Sequence, residues 1–465
     1  MNKIEVDQGS FRDPAGKVLY YNDRVLRLLN KDGVDRFNFL NENNLLDSCI
    51  SNKFLVKSNK INSDNINLNN LENKIIIEHE RIEYISYPYE WCFDQLKDAA
   101  LHHLNFHIFL LNNNATLLDG SAFNIQFNGH KPIFIDLLSI KKYENGEYWT
   151  AHKQFCENFL NPLILKSKKG IDFNNWFRGN LEGINTKDLN AVLSIKDKFS
   201  FNIFTQVFLL NFLEQRAIKN KKKDITQIKK RKFPKQSFLS MLNSMKKFIT
   251  SLEVKKSSTI WDDYSKDNTY KINEENLKKK IVKEFADRYK FETLIDLGCN
   301  DGVYSKICLE NGCKYVIGFD YDLNSINNAY KISKKEKLNF LPLYFDASNP
   351  SPNLGWAQNE RKGFVERINF TGMISLAFEH HLAIAKNIPL DQTIKWLTDT
   401  APQGLIEFVP KNDETIKKML ALKGDIFKDY NEENFKTLLL KNVNIVSETI
   451  ISDSGRKIFE YKKYI

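Results

Sequence analysis

The chain has 465 residues, with 68 lysines and arginines against 58 aspartates and glutamates, for a net charge of +10. That length exceeds one ordinary core, so two domains are expected, and an apolar content of 42% is enough to fill them. No run approaches a membrane span and the polar stretch from Met1 to Pro14 lacks a signal-peptide core, so the expected location is the cytoplasm.

Cys49, Cys92, Cys156, Cys299, Cys308 and Cys313 have no paired CxxC spacing, which argues against a zinc site and against a disulfide framework. No metal ligand set is expected. Lysine, asparagine and isoleucine are spread along the whole chain, including Asn62 to Asn73, so the positive charge reads as general composition and nucleic acid is the less favoured partner. The one dense basic run lies between Arg216 and Lys235, holds Phe233 as its single aromatic, and reads as a solvated connection between domains.

In chain order, Lys17 to Leu29 is a candidate reduced small lobe, Ile75 to Ile85 a strand, Ser86 to Trp91 a hinge and Phe93 to Leu111 a helix. Next, the stretch from Thr116 to Phe127 and the stretch from Pro132 to Asp136 are arms joined by an Asn128-Gly129 turn. The turn draws Asp119, Asn124 and Asp136 towards one edge. His102, His103 and His107 lie on the preceding helix and read as packed or capped residues. Beyond the basic run come a helix from Ser237 to Leu252, the aromatic-acidic segment Trp261 to Tyr264, and a helix from Glu274 to Tyr289. Tyr264 and Tyr270 are candidate lid residues.

The second half is the richer in chemistry. Leu294 to Leu297 is a strand that enters Gly298-Cys299-Asn300-Asp301-Gly302, where the glycines allow positive φ and the helix that follows offers unpaired N–H groups. Asp296 precedes the first glycine, and its charge suits a ligand with an amino group better than a pyrophosphate. A second strand ends at Asp320, where a carboxylate can accept both hydroxyls of a ribose. A third, Phe340 to Phe345, runs into Asp346-Ala347-Ser348, placed to meet an adenine amino group. Asn349 to Glu366 is a long insertion, with Trp356, Arg361 and the adjoining Arg367 as candidate pocket or contact residues. A fourth strand, Gly372 to Phe378, leads to Glu379, His380 and His381, and a neutral imidazole there can take a proton from a hydroxyl or amine. A fifth strand, Gly404 to Val409, and a hairpin from Asn444 to Tyr464 complete the pattern.

From about residue 280 to 465 these segments resemble class I S-adenosylmethionine-dependent methyltransferases. That resemblance implies a Rossmann-like α/β sheet of seven strands with an antiparallel last strand. It implies S-adenosyl-L-methionine held by Asp296, Gly298, Asn300, Gly302, Asp320, Tyr321, Asp346 and Ala347, and catalysis by His380, His381 and Glu379. The earlier Asp119, Asn124 and Asp136 are similar to the catalytic segment of protein kinases and their small-molecule relatives, where such residues orient a hydroxyl and hold magnesium. An α+β kinase-like module is the implication, with magnesium-bound ATP as its ligand. The departures are specific. No histidine and arginine precede Asp119, no glycine follows Asp136 by two, there is no glycine-rich loop, and only Arg24 or Arg27 stands in for the strand lysine. The expectation is therefore a binding lobe rather than a phosphotransferase.

The whole chain is similar to a family of bacterial two-part proteins that includes a host-specific nodulation protein. The likeness is carried by Ser10 to Pro14, Ser86 to Trp91, Asp119 to Phe127, Asn349 to Pro352, Glu379 to Leu382 and Glu407 to Lys411. It implies a small-molecule, glycan or lipid-linked acceptor. The expected domains are a kinase-like module over 1–215, a basic linker and helix over 216–255, and a methyltransferase domain over 256–465.

Overall fold

The computed structural model describes residues 4–42, 44–61, 75–209, 212, 232–254 and 272–464. Arg216 to Arg231, Trp261, Tyr264 and Tyr270 fall outside the described residues. The chain divides into two units: Met1–Phe127 with Pro132–Ser257 and Asn353–Arg361, and Asn128–Lys131 with Ser258–Pro352 and Lys362–Ile465. The turn between the two hairpin arms and part of the long insertion are thus each assigned apart from their sequence neighbours, an interleaving that the sequence did not announce.

The first unit opens with a five-stranded antiparallel sheet in the order β1-β2-β3-β5-β4, formed by β1 (Ile4–Val6), β2 (Gly16–Tyr21), β3 (Arg24–Leu29), β4 (Ser58–Ile61) and β5 (Ile76–His79). Tyr21 faces Arg24 across a two-residue turn in which Asn22 takes φ +54°. Leu19, Tyr21, Leu26 and Ile76 form the buried cluster of this sheet. The expected strand from Ile75 to Ile85 ends at His79, and Glu80 N–H turns aside to the Lys57 carbonyl. Ser86, further on, is clamped by Gln126, whose amide accepts from Ser86 N–H at 2.9 Å and donates to Ser86 carbonyl at 3.0 Å. The sequence period could not show that clamp, because Gln126 lies forty residues away.

The helix Phe93–Asn112 then crosses the unit, and two small antiparallel pairs follow it. These are β6 (Ala115–Leu117) with β9 (Ile140–Lys142), and β7 (Ile125–Asn128) with β8 (Lys131–Phe134). His103 and His107 are buried on the helix: His107 Nε2 is 2.8 Å from the Thr116 hydroxyl and His103 Nε2 is 3.2 Å from the Asp119 carbonyl.

The second unit holds one seven-stranded sheet. Its strands are β10 (Thr293–Leu297), β11 (Tyr315–Asp320), β12 (Phe340–Tyr344), β13 (Gly372–Ser375), β14 (Gln403–Phe408), β15 (Val443–Ile450) and β16 (Lys457–Lys463). They lie in the order β12-β11-β10-β13-β14-β16-β15, with the first five parallel and β16 antiparallel to β14. This is the strand order of the class I methyltransferase fold. β10 is buried at every position, as expected where helices cover both faces of a parallel sheet. β13 stops at Ser375, three residues short of the expected Phe378, because Ala377 takes φ +50° and breaks the strand. Among the described residues no helix is long and apolar enough to cross a membrane.

Gly302 shows why the loop after β10 needs its glycines. It sits at φ +87°, and a Cβ there would lie 2.4 Å from the Phe340 ring. Substituting Gly302→Ala should cost about 2–4 kcal/mol from strain and overpacking together, read as a lower urea midpoint at unchanged slope.

Candidate active site

Because β10 to β14 run parallel, the loops that follow them leave from one edge of the sheet, the edge where open α/β sheets take their ligands. The first is the glycine loop. Gly298 N–H and Cys299 N–H both donate to the Phe319 carbonyl, at 2.8 and 3.1 Å, which closes the loop over the neighbouring strand. Gly298 and Gly302 adopt φ +80° and +87°, and Asn300 follows at +48°.

Asp320 is the organising residue. One of its carboxylate oxygens accepts from Asn300 N–H at 2.9 Å and the other from Asp322 N–H at 2.9 Å. A single carboxylate therefore ties the glycine loop to the end of β11. Burial pushes its proton affinity up and the backbone N–H groups pull it back down. Tyr321 is exposed beside it, with the Lys386 ammonium 5.7 Å from its ring centre. Asp346 accepts from Ser348 N–H at 3.0 Å and from the Ser348 hydroxyl at 2.6 Å, and Ala347 between them is half-buried.

Asp296, expected to face a ligand's amino group, is instead interior, at 2% exposure. Its carboxyl receives the Ser305 hydroxyl at 2.6 Å and so joins the end of β10 to the first turn of the helix Val303–Glu310. Burial pushes this carboxyl up to about 7. The sequence could not tell these orientations apart, since any acid at a strand end can turn either way.

After β13 the chain reaches the expected acceptor residues. Glu379 is fully buried; its Oε1 accepts from the Tyr430 hydroxyl at 2.7 Å and from Val409 N–H at 3.2 Å. Burial raises it to about 8, so it is mostly protonated at neutral pH. His380 is also fully buried, and neither of its ring nitrogens has a hydrogen-bond partner among the described residues. Burial holds it well below the ordinary histidine range. His381, only partly buried, lies with its ring centre 4.3 Å from that of His380, and burial lowers it to about 4. Of the pair, His381 is the one on the accessible side. Phe378 covers the glycine loop so closely that a Cβ on Gly298 would meet its ring at 2.9 Å.

The other predicted group lies within the first unit. Asn124 donates to Asp119 at 3.0 Å, and Asp136 accepts from Arg27 at 2.5 Å and from Leu138 N–H at 3.3 Å. Arg24 goes elsewhere, pairing through two hydrogen bonds with Glu78. Arg27 also lies 4.0 Å from Asp13, so one guanidinium stands between two carboxylates. Burial raises both Asp13 and Asp119. In the insertion, Arg361 stacks over the Phe123 ring at 4.4 Å, Arg367 donates to the Ser351 hydroxyl at 3.1 Å and Trp356 is exposed.

Over 456 residues the chain is 41% identical to the nodulation protein NoeA of Rhizobium meliloti (strain 1021), covering 98% of this chain and 95% of that one. The chain belongs to the NoeA family. No family model matches it. Among solved structures it is similar to the N-methyltransferase NodS from Bradyrhizobium japonicum WM9 in complex with S-adenosyl-L-homocysteine. That likeness has 12% identity, covers 44% of this chain and 93% of that one, and has a TM-score of 0.33. The PH0226 protein from Pyrococcus horikoshii OT3 matches at 14% identity over 45% of this chain and all of that one, with a TM-score of 0.32. The bifunctional kinase-methyltransferase WbdD matches at 14% identity over 46% and 45% of the two chains, with a TM-score of 0.29. At such scores these likenesses speak to neither activity nor substrate.

Sequence reasoning missed four residues that shape this family member's site. Ser305 and Tyr430 are ordinary polar residues with no local signal. Lys278 and Glu407 did leave one: Glu407 is an acid inside the otherwise apolar strand β14, and a charge in such a place needs a partner.

Proposed function

We propose that this chain is an S-adenosyl-L-methionine-dependent methyltransferase whose acceptor is a hydroxyl, or an amine, on a small molecule, glycan or lipid-linked saccharide. The observation that carries the reading is Asp320. It ends the second strand of a class I sheet and is fixed by two backbone N–H groups at the ligand-binding edge. A carboxylate so held is set to accept two vicinal hydroxyls, which is the chemistry of a ribose. Tyr321 next to it offers an aromatic face, and Asp346 and Ala347 on the adjacent loop suit the adenine.

When bound, the cofactor supplies an electrophilic methyl group. The chain's own residues then have distinct tasks. Glu379, already protonated and fixed by Tyr430 and Val409, is not a base at neutral pH and instead braces the loop that bears His381. His381 is neutral at pH 7, so its ring can take up the acceptor's proton as transfer proceeds, although the burial that keeps it neutral also makes it a weak base. Orientation at the edge supplies most of the rate. Membership in a family named for nodulation favours a saccharide or lipid-linked saccharide among the acceptors. Calorimetric titration of the full chain with S-adenosyl-L-methionine tests the reading. Micromolar affinity is expected, and no detectable binding sinks it.

A second reading is favoured by Arg27. The sheet order, the helix Phe93–Asn112 and the grouping of Asp119, Asn124 and Asp136 support a kinase-like first unit, with Arg27 of β3 pairing with Asp136. Because the guanidinium is already paired with Asp136 and lies beside Asp13, we read this unit as a binding lobe, with phosphotransfer as the alternative. The expected result is weak or absent affinity for magnesium-ATP. Magnesium-dependent binding abolished by Asp136→Ala would instead establish a bifunctional kinase-methyltransferase.

A further inference from the structure

The turn that carries Phe378 and His381 is held from behind by a buried ionic network. Ala377, at its start, takes φ +50°, a left-handed conformation that a residue with a Cβ adopts only when its surroundings impose it. Its N–H donates to Glu407 Oε2 at 2.9 Å. Glu407 comes from β14, the strand adjoining β13, and is fully buried.

A carboxylate in that position requires counter-charge, and two cations supply it. Lys278, itself 2% exposed, reaches the same Oε2 at 2.7 Å from the helix Ile272–Tyr289. Arg456, 3% exposed, approaches Oε1 at 3.4 Å from the start of the last strand. Arg456 is in turn anchored by two hydrogen bonds, at 2.7 and 2.8 Å, to Asp413, which caps the helix Glu414–Lys423. Two cations and two anions thus balance inside the unit. A hydrophobic pair would fill such a space with less desolvation cost, so what the charges add is direction. Lys278 also lies 5.3 Å from the centre of the Tyr304 ring, beside the first turn after the glycine loop. One carboxylate therefore reaches the loop after β13, the helix before β10 and the final hairpin.

We infer that Glu407 is a positioning residue for the cofactor edge of the site: held between Lys278 and Arg456, its carboxylate fixes the left-handed Ala377 turn, and that turn seats Phe378 on Gly298 and presents His381. The inference rests on the methyltransferase reading for its purpose, but not for its geometry. It assigns Glu407 no contact with the cofactor or the acceptor.

Removing Glu407 alone would take away the carboxylate paired with the buried Lys278 ammonium, so the test uses paired variants of equal charge. Glu407→Gln with Lys278→Met keeps an oxygen acceptor for Ala377 N–H, whereas Glu407→Leu with Lys278→Met removes it. Both are compared with the wild type in the full chain, after circular dichroism establishes that they fold. Hydrogen exchange is read over residues 372–384, and affinity is read with S-adenosyl-L-methionine. The Leu/Met pair should exchange at least about tenfold faster in that peptide and bind about tenfold more weakly, while the Gln/Met pair stays within about threefold of the wild type on both measures, the factors expected from losing or keeping one buried hydrogen bond. Equal exchange in the two pairs would overturn the inference. Faster exchange with unchanged cofactor affinity would also overturn it, by making Glu407 a structural residue without influence on the site. If the wild type binds no S-adenosyl-L-methionine, the methyltransferase reading fails, and the exchange comparison still decides whether Glu407 holds the turn.

Discussion

Lowering the pH from 7 to 5 should unfold this protein cooperatively, because the native structure holds its histidines neutral. All eight are depressed below the ordinary value: His79 to about 3, His103 and His381 to about 4, and His102, His107, His130, His152 and His380 in the same direction, with burial the first cause in each case. The sign follows from proton counting. In the unfolded chain these rings titrate near 6.5, so between that pH and the lower native values the unfolded state binds more protons and stability falls as pH falls. His79, His103 and His381 each then contribute a loss of about 2 kcal/mol by pH 5, and the other five histidines shift stability in the same direction. Five carboxyls work the other way, Glu379, Asp296, Asp13, Asp119 and Asp320, all raised by burial. In these the native state binds the proton first, and acidification relieves about 2 kcal/mol each for Glu379 and Asp296. The histidines outnumber them, and the difference is comparable with a total stability of about 5–15 kcal/mol. Circular dichroism against pH should show a midpoint between about 5 and 6 with uptake of several protons. A native signal that persists at pH 4.5 would disprove this account of the interior.

Replacing Asp320 by alanine should abolish measurable affinity for S-adenosyl-L-methionine. Two effects combine. The ligand loses two hydrogen bonds to a charged acceptor, each worth about 1.5–3 kcal/mol, which is at least about a hundredfold in Kd. Asn300 N–H and Asp322 N–H lose their acceptor as well, so the glycine loop is no longer tied to the end of β11. Asp320→Asn separates the two, since its amide keeps one oxygen acceptor but opposes one N–H with another donor, and it should fall between wild type and alanine. Thermal unfolding alongside the titration guards against simple loss of the fold. A Kd for Asp320→Ala within threefold of wild type would remove Asp320 from the binding site and leave the methyltransferase proposal without its main support.

The second unit was legible for a physical reason. Its parallel strands are buried on both faces, so they stand out as apolar runs, and each ends where the chain must turn to a ligand edge. Asp320 and Asp346 could therefore be placed on that edge by counting along the chain, and the positive φ of Gly298 and Gly302 could be anticipated from their lack of a Cβ. The orientation of a side chain at the end of a strand has no such signature. Asp296 turns in to Ser305 and His380 is sealed inside, although both sit in positions as promising as Asp320 and His381. The first unit was harder to read, because its strands are short and its anchors are distant, as with the Gln126 clamp on Ser86 and the reach of Arg27 to Asp136.

By itself the sequence determined the order of strands and helices in the second unit, the glycine loop and the acids beyond it, since period, burial pattern and turn chemistry are local properties. Only the tertiary structure decided which of those acids stand at the edge and which turn into the interior. That outcome depends on partners from remote segments, such as Tyr430 for Glu379 and the meeting of Lys278, Glu407 and Arg456 behind the Ala377 turn, and local sequence carries no record of which distant side chain will supply a counter-charge.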